Sequence, residues 1–160
     1  MKKALHVYRL TKMVIAGLAS KGLEPVIAQR AVISEKHRIG TAADVMAFDK
    51  SANRLVVVEL KCGFDNGRTA AAVSTKGKAC KMQAPLSTAS DCNVHRHMAQ
   101  LAVTRELLIR EKATLDRLAE LGVEREVGGV LMYANDEGVE FHELGEWWEK
   151  RAPKVLNAIA

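Results

Sequence analysis

Three residues stand out for their types and spacing: Asp44 and, after an intervening fourteen residues, Glu59 and Lys61 in the run Glu59-Leu60-Lys61. Two carboxylates and an amine suit chemistry on a phosphate. The acids can share one hard divalent cation, and the ammonium offsets negative charge as it builds. Whether they meet depends on the elements that carry them. Residues 42–49 and 54–62 read as β-segments, separated by the polar break Lys50–Asn53, which is short enough for an antiparallel hairpin. A turn centred between Ser51 and Ala52 sets Asp44 opposite Glu59, and facing side chains of such a pair have Cβ atoms about 4.5–5.5 Å apart. Period two then places Lys61 on the face of Glu59, one step further along. Leu55 and Val57 share that face, while Val56, Val58 and Leu60 fill the other, so the strand reads as covered on both sides. Charges at the end of such a strand are costly to desolvate unless a cation neutralises them. Mg²⁺ takes one or two carboxylates and keeps waters and phosphate oxygens.

The remaining elements must hold this hairpin. Residues 3–21 read as an amphipathic helix with Leu5, Tyr8, Val14 and Leu18 at helical spacing and Gly22 at its end. Residues 25–36 form a first β-segment. A tight turn at Ile39-Gly40 would set Glu35 opposite Asp44 as a third carboxylate, useful if two metals bind; Glu24 is the second candidate. Residues 63–90 are rich in Gly, Ala, Ser, Thr and Lys and read mostly as a long loop. A second helix is expected over about 91–112, capped by Ser90 or Asp91, and a third over about 113–121. Residues 127–134 and 138–144 read as a last hairpin, and Trp147 opens a closing helix with Pro153 near its start or at a break. The order α, three β, α, β describes one α/β domain over residues 1–160 with a mixed sheet between helices.

The residues Gly40…Asp44…Glu59-Leu60-Lys61-Cys62 resemble the PD-(D/E)XK nuclease superfamily, most of all its RecB-like and phage recombination exonuclease branches. Those branches place a Gln on the helix after the active-site hairpin, and His97-Met98-Ala99-Gln100-Leu101-Ala102 looks like that motif. The likeness covers most of the chain through four or five positions. It implies a restriction-endonuclease-like α-β-β-β-α-β core and Mg²⁺- or Mn²⁺-dependent hydrolysis of DNA phosphodiester bonds, in recombination or repair. Carried over, Asp44, Glu59 and the Leu60 carbonyl would ligate metal, Lys61 would orient or help deprotonate the attacking water, and Gln100 would position Lys61 or a phosphate. Ala43 stands where the pattern often has Pro. The chain is also shorter than a typical recombination exonuclease, which leaves open a structure-selective endonuclease such as a junction resolvase. Small basic members do that work as dimers, so a homo-oligomer is compatible.

Charge agrees with a polyanionic partner. The chain carries 24 basic and 19 acidic side chains, net +5. Residues 50–81 hold seven basic groups against two acidic ones, while residues 111–160 hold eleven acidic against six basic. One basic surface facing a polyanion follows from that asymmetry; the resemblance makes that polyanion DNA, with Arg68, Lys76, Lys78 and Lys81 as phosphate contacts and His97 as a further one. A nucleic-acid-binding module without turnover would show a broken ligand set, whereas Asp44, Glu59 and Lys61 all stand. Three cysteines, an odd number whose spacing fits no compact zinc motif, suggest a reducing compartment. With no signal-type core or membrane-length apolar run, an intracellular, non-membrane protein is the expectation.

Overall fold

The computed structural model describes residues 2–62, 80–120, 122–135 and 137–159. The first element is α1 (Lys2–Ser20), closed by Gly22, whose φ of +69° is the left-handed conformation that a helix stop requires. Three strands follow, β1 (Leu23–Ser34), β2 (Ile39–Asp49) and β3 (Arg54–Cys62), then α2 (Asn93–Arg110) and α3 (Lys112–Glu120). The chain ends with β4 (Glu124–Asn135), β5 (Gly138–Glu143), α4 (Glu146–Glu149) and α5 (Ala152–Ile159). This is a mixed α/β unit. Its five-stranded sheet has the order β1-β2-β3-β4-β5, antiparallel throughout except for the parallel pair β3 and β4, which α2 and α3 connect.

Helices cover the sheet on both faces, so β3 buries every residue from Leu55 to Glu59. Leu55 and Val57 join Leu101, Leu108 and Leu131 in a core beneath α2, and Val56 and Val58 join Leu18 and Met132 in a second core beneath α1. On α1 the packed stripe runs through Val14 and Leu18. Tyr8, expected on it, is 56% exposed.

The β2–β3 hairpin has the expected register, with Val45 opposite Val58 and Phe48 opposite Leu55. Its turn is tied by Asp49, whose Oδ1 accepts from the backbone N–H groups of Ser51 at 3.0 Å and Ala52 at 3.1 Å and from the Ser51 hydroxyl at 2.6 Å. The β1–β2 register differs from expectation. Ile33 pairs with Gly40 and Arg30 with Ala43, so the turn lies at Glu35–Arg38 and Ile39-Gly40 continues the strand. Ser34 Oγ and His37 Nδ1, 2.8 Å apart, close that turn, and Arg38 takes a φ of +53°. Glu35 is therefore an exposed turn residue and not a partner of Asp44; the position level with Asp44 is Gln29. Glu24 lies level with Phe48 and pairs with Lys50 at 2.6 Å, also away from Asp44. The cap of α2 is Cys92, without a side-chain capping bond, because Asp91 is engaged by Arg96 at 2.6 and 2.9 Å.

Leu101 is fully buried at the centre of the larger core. Leu101→Ala should lower unfolding free energy by about 2–5 kcal/mol, read as a fall in urea midpoint with an unchanged slope.

Candidate active site

The site forms where the β2–β3 ladder stops. Backbone pairing ends at Val45 opposite Val58, and Asp44, the next residue, does not continue it. Its Oδ2 instead accepts the Leu60 N–H at 2.9 Å, a side chain standing in for a ladder carbonyl. The N–H and C=O of one strand residue point to the same edge, so the Leu60 carbonyl is directed to the edge where Asp44 lies.

A slip of side-chain phase puts Asp44 there. Thr41 Oγ1 lies 3.2 Å from Thr104 on α2, and Ala43 packs in the core beneath α2. Further along β2, Val45 packs beneath α1 and Met46 again beneath α2. Strict alternation cannot place both Ala43 and Met46 on one face, so Asp44 sits at the change and its carboxylate reaches sideways to β3. The same level of β1 is irregular too: Gln29 has a φ of +53°, and pairing skips from Ala28–Val45 to Arg30–Ala43.

Glu59 shares the α2 face with Val57 and is 1% exposed. Its Oε1 accepts a hydrogen bond from the Lys61 ammonium, whereas its Oε2 is buried with no hydrogen-bond partner among the described residues. Burial raises the Glu59 carboxyl above its ordinary range; the Lys61 bond opposes this and the Asp44 charge adds to it. Lys61 Nζ also donates to Gln100 Oε1 at 3.3 Å, which ties the end of β3 to the second turn of α2. The structure thus brings Asp44, Glu59, Leu60, Lys61 and Gln100 together.

His97, one helical turn before Gln100, is half-buried, with Nδ1 2.8 Å from the Tyr133 hydroxyl. Tyr133 is the β4 residue level with Lys61. Burial first, and then the Lys61 charge, lower the His97 pKa, so the imidazole is neutral at pH 7. His97 accordingly forms a wall of the site and is less exposed than a phosphate contact on an open surface would be. Tyr133 and Thr104 were not anticipated; their places follow from the parallel β3–β4 pairing and from the docking of α2, neither of which has a local signature. Cys62, exposed at the end of β3, has its thiol pKa raised by burial of the sulfur and by the Asp44 charge, which favours an unreactive thiol.

Of the expected phosphate contacts, Lys81 is exposed and joined to Ser90 by a single β-bridge. Arg68, Lys76 and Lys78 lie outside the described residues. Among the described residues, no cluster of three or more His, Cys, Asp or Glu side chains is arranged to hold a metal, and no helix is long and apolar enough to cross a membrane. Set against known proteins, the chain matches no family model and no curated protein.

Two carboxylates and a backbone carbonyl still fit a hard cation that keeps several waters, and the orphaned Glu59 oxygen is the donor such an ion would satisfy. Without an ion, ionised Glu59 is a cost to folding. Its folded-state pKa lies above the unfolded value, so the cost is absent below the unfolded pKa and grows as pH rises through the folded one. Glu59→Gln should therefore raise the melting temperature at pH 8 in metal-free buffer, with the gain shrinking towards pH 4, as followed by circular dichroism.

Proposed function

We propose that the protein is a divalent-metal-dependent phosphodiesterase acting on DNA, built on a restriction-endonuclease-like α-β-β-β-α-β core. One observation carries the reading: a fully buried carboxylate, Glu59, keeps an oxygen without a partner among the described residues at the point where Asp44 and the Leu60 carbonyl reach the same edge of β3. A structural salt bridge would use that oxygen or leave it in water.

On this reading Asp44, Glu59 and the Leu60 carbonyl hold Mg²⁺ or Mn²⁺. When bound, the ion lowers the pKa of a coordinated water and polarises the phosphoryl oxygen. The chain's own residues do the rest. Glu59 and Gln100 fix the Lys61 ammonium between them, so its charge is in place before the reaction and offsets the negative charge that grows on the phosphoryl oxygens. Gln100 acts as a positioning residue through Lys61. Neutral His97, held by Tyr133, brings no second positive charge against Lys61 and so leaves the ammonium undisturbed. Lys81, with the other basic residues of 50–81, supplies contacts to the DNA backbone that fix register without reading sequence. With aromatic residues at 4% of the chain there is little to build a base-stacking platform, which favours recognition by backbone and shape. An exonuclease of recombination or repair type is the first expectation, and a junction-selective endonuclease the alternative.

The test uses end-labelled linear duplex, closed circular and four-way junction DNA with Mg²⁺ or Mn²⁺. Cleavage should require the metal, vanish in EDTA, and fall roughly 10²–10³-fold or more in Asp44→Asn and Lys61→Ala. Gln100→Ala should cost less, about 10–100-fold, as expected of a supporting residue. Products from closed circles would identify an endonuclease. Cleavage that survives EDTA and both substitutions, or DNA binding without any metal-dependent cleavage, would remove the reading.

A further inference from the structure

A groove of about 520 Å³ lies between the start of β1 and α3, on the face of the sheet that α2 and α3 cover. Met46, Phe48 and Leu55 of the sheet line it, and Leu118 and Val123 line it from the α3 side. Two small α3 side chains, Ala113 and Thr114, border it where longer ones would close it. The β1 side is built by an irregularity. Pro25 pairs with Ala47 and Ile27 with Met46, so Val26 is the extra residue of a bulge. In a regular strand Val26 and Ile27 would project to opposite faces. Here both border the groove, with 52% and 43% of their surface in water. Apolar walls around a concavity of this size are the make-up of a small-molecule pocket, commonly about 300–1,000 Å³ with a few polar groups that fix the ligand's orientation.

The polar groups say which ligand. Arg30, Glu111 and Arg117 are the charged residues that line the groove. Glu111 is already answered, accepting from Arg30 Nη2 at 2.6 Å and from the Thr114 hydroxyl. Arg30 is engaged through Nη2 alone among the described residues, and its Nε is buried without a partner there. Arg117 pairs with Glu120 at 2.8 Å, but those side chains are 68% and 63% exposed, and an ion pair so open to water holds its partners weakly. Two guanidiniums thus stand against one carboxylate that is already paired, and the lining is net positive. We propose that this groove binds a free amphipathic monoanion, a small molecule with an apolar tail and a single carboxylate. The tail covers Met46, Phe48, Leu55 and Leu118 and removes Val26 and Ile27 from water. The carboxylate meets Arg117 and Arg30, whose planar N–H forks match its geometry. A cationic ligand of the same shape meets the wrong charge, and a neutral one leaves the guanidiniums without an acceptor. The inference stands independently of the nuclease reading, since none of these residues belongs to the Asp44–Glu59–Lys61 site.

Isothermal titration calorimetry with octanoate, decanoate and dodecanoate, each below its micelle concentration, reads the tail. The dissociation constant should fall about three- to fourfold per added methylene until the groove is full. Decyltrimethylammonium, with the same tail as a ten-carbon chain and the opposite charge, reads the head and should bind at least about tenfold more weakly than decanoate. Arg117→Glu, at an exposed position, should weaken decanoate about tenfold without weakening decyltrimethylammonium. Ala113→Trp, also exposed, should weaken both ligands by occupying the groove, and far-ultraviolet circular dichroism should show both variants folded. Equal affinity for the two head groups, decanoate binding untouched by both substitutions, or no saturable binding at millimolar decanoate would each overturn the proposal. So would a different occupant: self-association in sedimentation velocity that Ala113→Trp abolishes, or capture by phosphatidylglycerol vesicles of a protein that does not bind decanoate.

Discussion

A carboxylate that cannot reach water governs the arrangement of the candidate site. Glu59 ends the buried run of a strand covered by helices on both sides, so its charge is held at the edge of two cores. The Lys61 ammonium answers one of its oxygens only, and Asp44 adds a like charge nearby. An ion pair of this kind contributes little to folding, because desolvation of both partners offsets their attraction. A surface salt bridge between Glu59 and Lys61 would have been the ordinary explanation of a Glu-x-Lys on a strand. With side-chain exposures of 1% and 18%, the pair is not on the surface.

The second constraint is geometric. For Asp44 to stand beside Glu59, its side chain has to leave the normal up-and-down alternation of β2 and lie across the gap to β3. The structure achieves this with coincident irregularities on neighbouring strands, Asp44 on β2 and the left-handed Gln29 on β1. A non-glycine residue at such a φ carries a local conformational cost, of the order of 1–2 kcal/mol. That cost persists only where the surrounding sheet imposes it. What the distortion achieves is specific. A carboxylate oxygen takes the place of a backbone carbonyl as acceptor for Leu60, the ladder ends, and Leu60's own carbonyl is left aimed at the same place.

How far this was legible in the sequence depends on the range of the interaction that fixes each piece. The bounds of β3 and the β2–β3 register were readable, since the turn is short and Asp49 closes it with local hydrogen bonds. Asp44, Glu59 and Lys61 were therefore found together, whereas Gln100 was named only through the resemblance of its helix to a family motif. The β1–β2 turn misled because Ile39-Gly40 has turn-like composition, while the actual turn depends on Ser34 meeting His37 and on Arg38 accepting a left-handed backbone. That shift removed Glu35 from the site. Tyr133 lay beyond sequence reasoning, because its place beside Lys61 is set by parallel pairing across a long crossover. Tyr8 was misplaced for a different reason: helical spacing identifies an apolar stripe but not where the sheet beneath it ends.

Exposure rises in steps through the site and gives it a direction. Glu59 is buried, Lys61 is 18% exposed in its side chain, and Gln100 lies at the surface. A phosphate entering from solvent would meet the Gln100 side of α2 first, the ammonium next and the Glu59 carboxylate last. That order suits an anionic substrate. The positive charge of Lys61 stands nearer solvent than the negative charge of Glu59 that it balances, so an approaching phosphate would be attracted before it meets Glu59. The reverse order, with a carboxylate outermost, would repel a phosphate and attract only a cation. Burial of Glu59 is thus more than a by-product of a covered strand; it decides which charge the outside of the site presents.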